Sequence, residues 1–121
     1  MARILVIDDE ELARFTVREI LESADHTVAE ASNGADGLSK HRQDPFDLIV
    51  TDIIMPEKEG IETIIEMKNE TPSLPVIAIS GGGRTRNLDF LKIAEQMGAD
   101  KILAKPFTEE ELLDAVRTVL G

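Results

Sequence analysis

Four short apolar runs, Ile4 to Ile7, Leu48 to Val50, Val76 to Ile79 and Ile102 to Ala104, are closely followed by Asp8-Asp9, Asp52, Ser80 and Lys105. Runs of this length with polar boundaries predict strands buried on both faces, as in a parallel sheet. The ends of parallel strands lie along one edge, so three carboxylates, a hydroxyl and an amine converge where open α/β sheets bind ligands. Converging carboxylates repel one another unless a cation sits among them, and hard oxygen donors suit a divalent ion such as Mg2+. The pattern predicts a magnesium and phosphoryl site.

The remainder of the chain alternates strand and helix five times, the signature of a βα sheet. Glu11 to Ala24 carries Leu12, Phe15, Ile20 and Leu21, which predicts a helix whose apolar side covers the sheet. Thr27 to Ala31 holds Glu30 in its middle and is expected at a sheet edge. Helices are expected through Leu38 to Arg42, from about Ile61 to Asn69, and from about Thr85 to Met97, where Gly98 suits a helix C-terminal turn. Thr108 with Glu111 forms a capping box before a last helix carrying Leu112, Val116, Val119 and Leu120. Right-handed crossovers place helices on both faces, so the expected class is α/β with a doubly wound five-stranded parallel sheet, one domain over residues 1–121.

Bulk composition narrows the function. The net charge of −11, from 24 acidic and 13 basic residues, repels a nucleic-acid backbone, so direct nucleic-acid binding is not expected. Absence of cysteine removes disulfides and thiolate metal sites. Met1-Ala2-Arg3 runs straight into a strand and no apolar stretch approaches membrane-spanning length, which predicts a cytoplasmic protein without membrane attachment. His26 and His41 follow no core strand and read as structural. No GxxxxGK loop is present, so a phosphoryl group must come from another molecule.

Taken in order, Val6-Ile7-Asp8-Asp9-Glu10, Asp52-Ile53-Ile54-Met55-Pro56, Ser80 and Lys105-Pro106-Phe107 resemble the motifs of response regulator receiver domains of two-component signalling, the CheY-like superfamily. The resemblance covers essentially the whole chain. It implies a flavodoxin-like (βα)5 fold with strand order 2-1-3-4-5 and a single-domain response regulator. It also implies that Asp52 accepts a phosphoryl group from a sensor histidine kinase or histidine phosphotransfer protein, forming an aspartyl phosphate. Asp9, Asp52 and the backbone carbonyl of Ile54 are then expected to bind Mg2+, with Asp8 holding a metal-bound water. Lys105 and Ser80 would meet the phosphoryl oxygens, and the bond before Pro106 would be cis. Gly81, Gly82 and Gly83 admit two readings, a loop whose backbone N–H groups approach the phosphoryl group closely or simply a mobile loop.

The implied output is a switched face formed by the helix after strand four, strand five and the last helix, recognised by a downstream protein or in a homodimer. Two departures from the family pattern bear on it. Ile102 stands where the family's switch aromatic lies, and Ile54 and Gly82 offer no polar side chain to orient water, which predicts slow self-dephosphorylation. The chain is accordingly not expected to be an enzyme beyond its own phosphorylation and dephosphorylation. Two other readings are a receiver-fold binding module that works without phosphorylation, and a Mg2+-dependent phosphohydrolase with an aspartate nucleophile. Phosphohydrolases of that kind place a second aspartate two residues after the nucleophile, where this chain has Ile54.

Overall fold

The structure is a computed structural model that describes residues 1–52, 59–80, 96 and 98–121. Its strands are β1 (Arg3–Ile7), β2 (Thr27–Ala31), β3 (Leu48–Asp52), β4 (Val76–Ser80) and β5 (Lys101–Ala104). The described helices are α1 (Glu11–Ser23), α2 (Gly34–Gln43), α3 (Glu59–Glu70) and, at the C-terminus, α4 (Glu109–Leu120). The helix expected over Thr85 to Met97 falls almost wholly outside the described residues.

All strand pairs are parallel, in the order β2-β1-β3-β4-β5. Alternating residues of the central strands feed two cores. Leu5, Ile7, Ile49 and Ala78 meet Leu38 of α2 and Ile61, Ile64 and Met67 of α3 on one face. On the other face Ile4, Val6, Val50 and Ile77 meet Val17 and Leu21 of α1 and Leu112, Ala115 and Val116 of α4. Helices therefore cover both faces, which is why the inner strands carry no polar alternation.

Local chemistry sets the element ends. Asn33 caps α2 by accepting from the Asp36 N–H at 2.7 Å. The Thr108 hydroxyl accepts from the Glu111 N–H at 3.0 Å while the Glu111 carboxylate accepts from the Thr108 N–H at 2.8 Å, a reciprocal cap for α4. Gly98 adopts φ +114, a conformation open to glycine. Gly37 lets α2 lie close on β1, since a Cβ there would come within 2.5 Å of Ile7 Cδ1.

Two sequence expectations are corrected. Leu12 and Phe15 do not cover the sheet but are 77% and 51% exposed, while Val17 takes the inward position beside Leu21. The helix docks along Val17 and Leu21, which lie one turn apart, and this rotation turns Leu12 and Phe15 outward. Similarly, β5 is not buried on both faces. It pairs only with β4, so Lys101 and Ala104 are exposed and Ile102 and Leu103 half-buried.

Candidate functional site

Sheet register brings the candidate residues to one edge. Ile7 pairs with Thr51 and Thr51 with Ala78, so Asp8 and Asp52 follow in line on neighbouring strands. Ser80 closes β4 opposite Ala104, the residue before Lys105. Asp8 and Asp52 are buried, at 4% and 6% exposure, at the ends of central strands whose buried residues are otherwise apolar apart from Thr51. Lys105 reaches between them, its Nζ 3.4 Å from Asp52 Oδ2 and 3.6 Å from Asp8 Oδ2. The Lys105–Pro106 peptide bond is cis.

Asp8 is fixed from several directions. Its N–H donates to the Ala31 carbonyl at 3.1 Å, and its Oδ1 accepts from the Glu10 N–H at 2.9 Å. Burial pushes its carboxyl above the usual range. The Glu10 N–H and the Lys105 charge oppose that rise, while the charges of Asp9 and Glu10 add to it. Asp9 itself is exposed.

The donor set fits a hard cation. Carboxylate oxygens from two strand ends, one of them buried against its electrostatic preference, are the ligands that magnesium takes, and it needs few of them because it keeps several waters. Among the described residues no three His, Asp or Glu side chains are already grouped for a metal. Between the Asp8 and Asp52 carboxylates it is the Lys105 ammonium that supplies positive charge. Ile54, Gly81 and Gly82 lie outside the described residues, and Ser80 is described through its backbone. Ile102 is half-buried and packs against the core on the α2 and α3 side.

Two residues of this region carried no expectation of a site role. Arg14 of α1 donates through Nη1 to the Asp8 carbonyl and through Nε to Glu30 Oε1, each at 2.8 Å. Arg18, one turn on, holds Glu30 Oε2 at 2.6 Å. The Arg18 and Arg14 guanidiniums keep the Glu30 carboxyl below its usual range against a smaller effect of burial. The sequence signal was available in Glu30 within an otherwise apolar edge strand, and in two arginines at helical spacing.

Beside Lys105 lies an open recess of about 620 Å³ lined by Glu10, Leu12, Thr16, Ile20, Lys105 and Phe107. Exposed Phe15 lies one turn beyond Leu12 on α1.

A doubly wound parallel sheet with buried aspartates and a lysine at its carboxyl edge defines the receiver class of signalling domains. The chain belongs to the response regulator receiver domain family, which matches residues 4–117. Over its whole length it is 34% identical to protein PilH of Pseudomonas aeruginosa, covering 99% of that protein. It is 33% identical to the chemotaxis protein CheY of Halobacterium salinarum, covering 98% of this chain and 96% of that one. Among solved structures, a response regulator receiver domain protein from Clostridium thermocellum superposes with TM-score 0.90 at 33% identity, covering 99% of this chain and 94% of that one. NtrX from Brucella abortus superposes with TM-score 0.91 at 30% identity over 98% of this chain, which spans 27% of the NtrX chain. Among the described residues no helix is long and apolar enough to cross a membrane.

Proposed function

We propose that this receiver takes a phosphoryl group onto Asp52 from a phosphohistidine of a sensor histidine kinase or histidine phosphotransfer protein. The reading is carried by the Lys105 ammonium held between the buried Asp8 and Asp52 carboxylates at the carboxyl edge of the sheet. In the transfer an Asp52 carboxylate oxygen bonds to phosphorus as the phosphorus–nitrogen bond of the donor breaks and its electron pair returns to the imidazole. Lys105 moves from balancing two carboxylates to meeting the phosphoryl oxygens, where its charge opposes the charge of the transition state. Ser80, which ends the neighbouring strand, would donate its hydroxyl to the same oxygens.

Asp9 and Asp52, with the Ile54 carbonyl, would hold Mg2+, and Asp8 would orient a water bound to it. The ion would supply charge neutralisation at the phosphoryl oxygens. For that role Asp8 is well anchored, through the Glu10 N–H on its side chain and Ala31 on its backbone.

The donor protein docks over the recess beside Lys105. Leu12 lines this recess and Phe15 lies one turn further along α1, both exposed and apolar, which favours a protein donor with an apolar face. The output is a change at the face formed by the helix expected over 85–97, β5 and α4, read by a downstream protein or a second copy of the chain. Half-buried Ile102 on β5 belongs to this surface, and an aliphatic residue there leaves the rearrangement to the Gly81-Gly82-Gly83 loop and the helix after it. The setting is the cytoplasm.

Intact mass after incubation with Mg2+ and a small-molecule phosphoryl donor tests the reading. One added phosphoryl group in the wild type and none in Asp52→Asn is the expected result. No adduct in a wild-type chain that binds Mg2+ would turn the assignment toward a phosphorylation-independent binding module.

A further inference from the structure

Arg14 has a place in the site that ion pairing alone does not account for. Its side chain is 14% exposed, and its guanidinium divides its bonds between a carboxylate on β2 and the backbone carbonyl of Asp8. That carbonyl belongs to the peptide unit joining Asp8 to Asp9. With the Asp8 N–H already donating to Ala31, the guanidinium fixes the other end of Asp8 to the same neighbouring strand. Glu30 in turn is held by Arg18, so the fork presented to Asp8 is itself oriented.

We propose that Arg14 is a positioning residue for the acidic pair, setting the peptide from which Asp8 and Asp9 project and hence the affinity of the site for Mg2+. The inference rests on the magnesium reading above and deepens it. A hydrogen bond from a charged guanidinium to a carbonyl is stronger than a neutral one, and without it ψ of Asp8 and φ of Asp9 are less constrained, so the directions in which the two side chains leave the backbone are less fixed. Residues that orient the groups around a metal typically change its affinity by about 10–100-fold when removed. Because Arg14 works through the backbone, the lower end of that range is expected.

Isothermal titration of the folded full chain with Mg2+ tests this, comparing wild type with Arg14→Met, Arg14→Lys and Arg42→Met. Arg42 pairs with Glu66 and Glu70 between α2 and α3, and so reports the loss of an ion pair away from the acidic pair. Arg14→Met is expected to weaken Mg2+ binding about tenfold. Arg14→Lys, able to reach one acceptor but not to fork between two, should fall between it and wild type, and Arg42→Met should match wild type. At saturating Mg2+ the rate of phosphoryl acceptance by Arg14→Met should return toward that of wild type, a split that general loosening of the fold would not give.

An unchanged Mg2+ affinity in folded Arg14→Met, beside a wild type that binds the ion, overturns the positioning role and leaves the magnesium reading intact. A wild type that binds no Mg2+ overturns both. Should Arg14→Met not fold, Glu30→Gln, which weakens the anchor of Arg14 while leaving the arginine in place, must weaken Mg2+ binding in the same direction, and unchanged affinity there overturns the proposal.

Discussion

Lys105 and Asp52 lie 53 residues apart in sequence, yet the lysine Nζ stands 3.4 Å from Asp52 Oδ2 and reaches Asp8 from the same position. Two buried carboxylates thus share one ammonium. On the proposed function, replacing Lys105 by Met removes the charge that would meet the phosphoryl oxygens. The rate of phosphoryl acceptance from a small-molecule donor, followed by intact mass, should fall at least about tenfold. An unaltered rate would confine Lys105 to a structural ion pair.

Asp8 bears the opposite cost. Its carboxyl is raised by burial and by the charges of Asp9 and Glu10, so holding it ionised works against the fold. Asp8→Asn keeps an acceptor for the Glu10 N–H while removing the charge. Thermal unfolding without Mg2+ should shift upward by a few degrees, and titration calorimetry should show weaker Mg2+ binding. A lowered melting temperature would mean that the attraction to Lys105 outweighs the crowding.

His41 makes stability depend on acidity. It is buried, its Nδ1 accepts from the Phe46 N–H at 3.1 Å, and burial lowers its pKa from the usual 6.5 despite the opposing charge of Glu70. A histidine with a lowered folded pKa contributes stability that is fully present above its unfolded pKa and is lost as pH falls through the folded value. Denaturant unfolding should therefore show stability falling as the pH drops below the usual histidine value of 6.5, with a shallower slope in His41→Asn. His26, which accepts from the Ala2 N–H and is also lowered by burial, supplies the slope that remains. Equal slopes in variant and wild type would remove His41 from the account.

Leu12 and Phe15 distinguish docking from chemistry. Both are exposed, so Leu12→Ser with Phe15→Ser should leave the unfolding free energy within about 0.5 kcal/mol of wild type. Transfer from a phosphorylated cognate kinase should slow, while acceptance from a small-molecule donor stays unchanged. Equal slowing of both would place the effect at the reacting edge instead.

Neither Ile54 nor Gly82 has a polar side chain, and on the proposed function these are the positions that would flank the attacking water. Ile54→Asn supplies an amide that can orient that water, so phosphate release from phosphorylated protein should quicken by about tenfold. Absence of acceleration would assign the lifetime to something other than these positions.

The strands were legible because the pattern that encodes them is local, apolar runs of strand length with polar residues where the sheet ends, whereas their order came only through the family resemblance. Thr108 and Glu111 announced the start of α4 for the same reason, since a reciprocal cap needs residues only three apart. The rotation of α1 was not legible. Leu12 and Phe15 are as apolar as Val17 and Leu21, and only the fit of the helix against the sheet selects which stripe turns inward. The exposure of β5 likewise depends on its having a single strand neighbour.

What the sequence alone determined is the alternation of elements, the polar residues at the strand ends and, through its motifs, the receiver family. Tertiary structure decided that Lys105 stands between Asp8 and Asp52, and that Arg14 ties the Asp8 carbonyl to Glu30. Those relationships join residues from separate strands and helices. Their distances follow from sheet register and helix rotation, which packing of the whole chain sets and no local run of residues encodes.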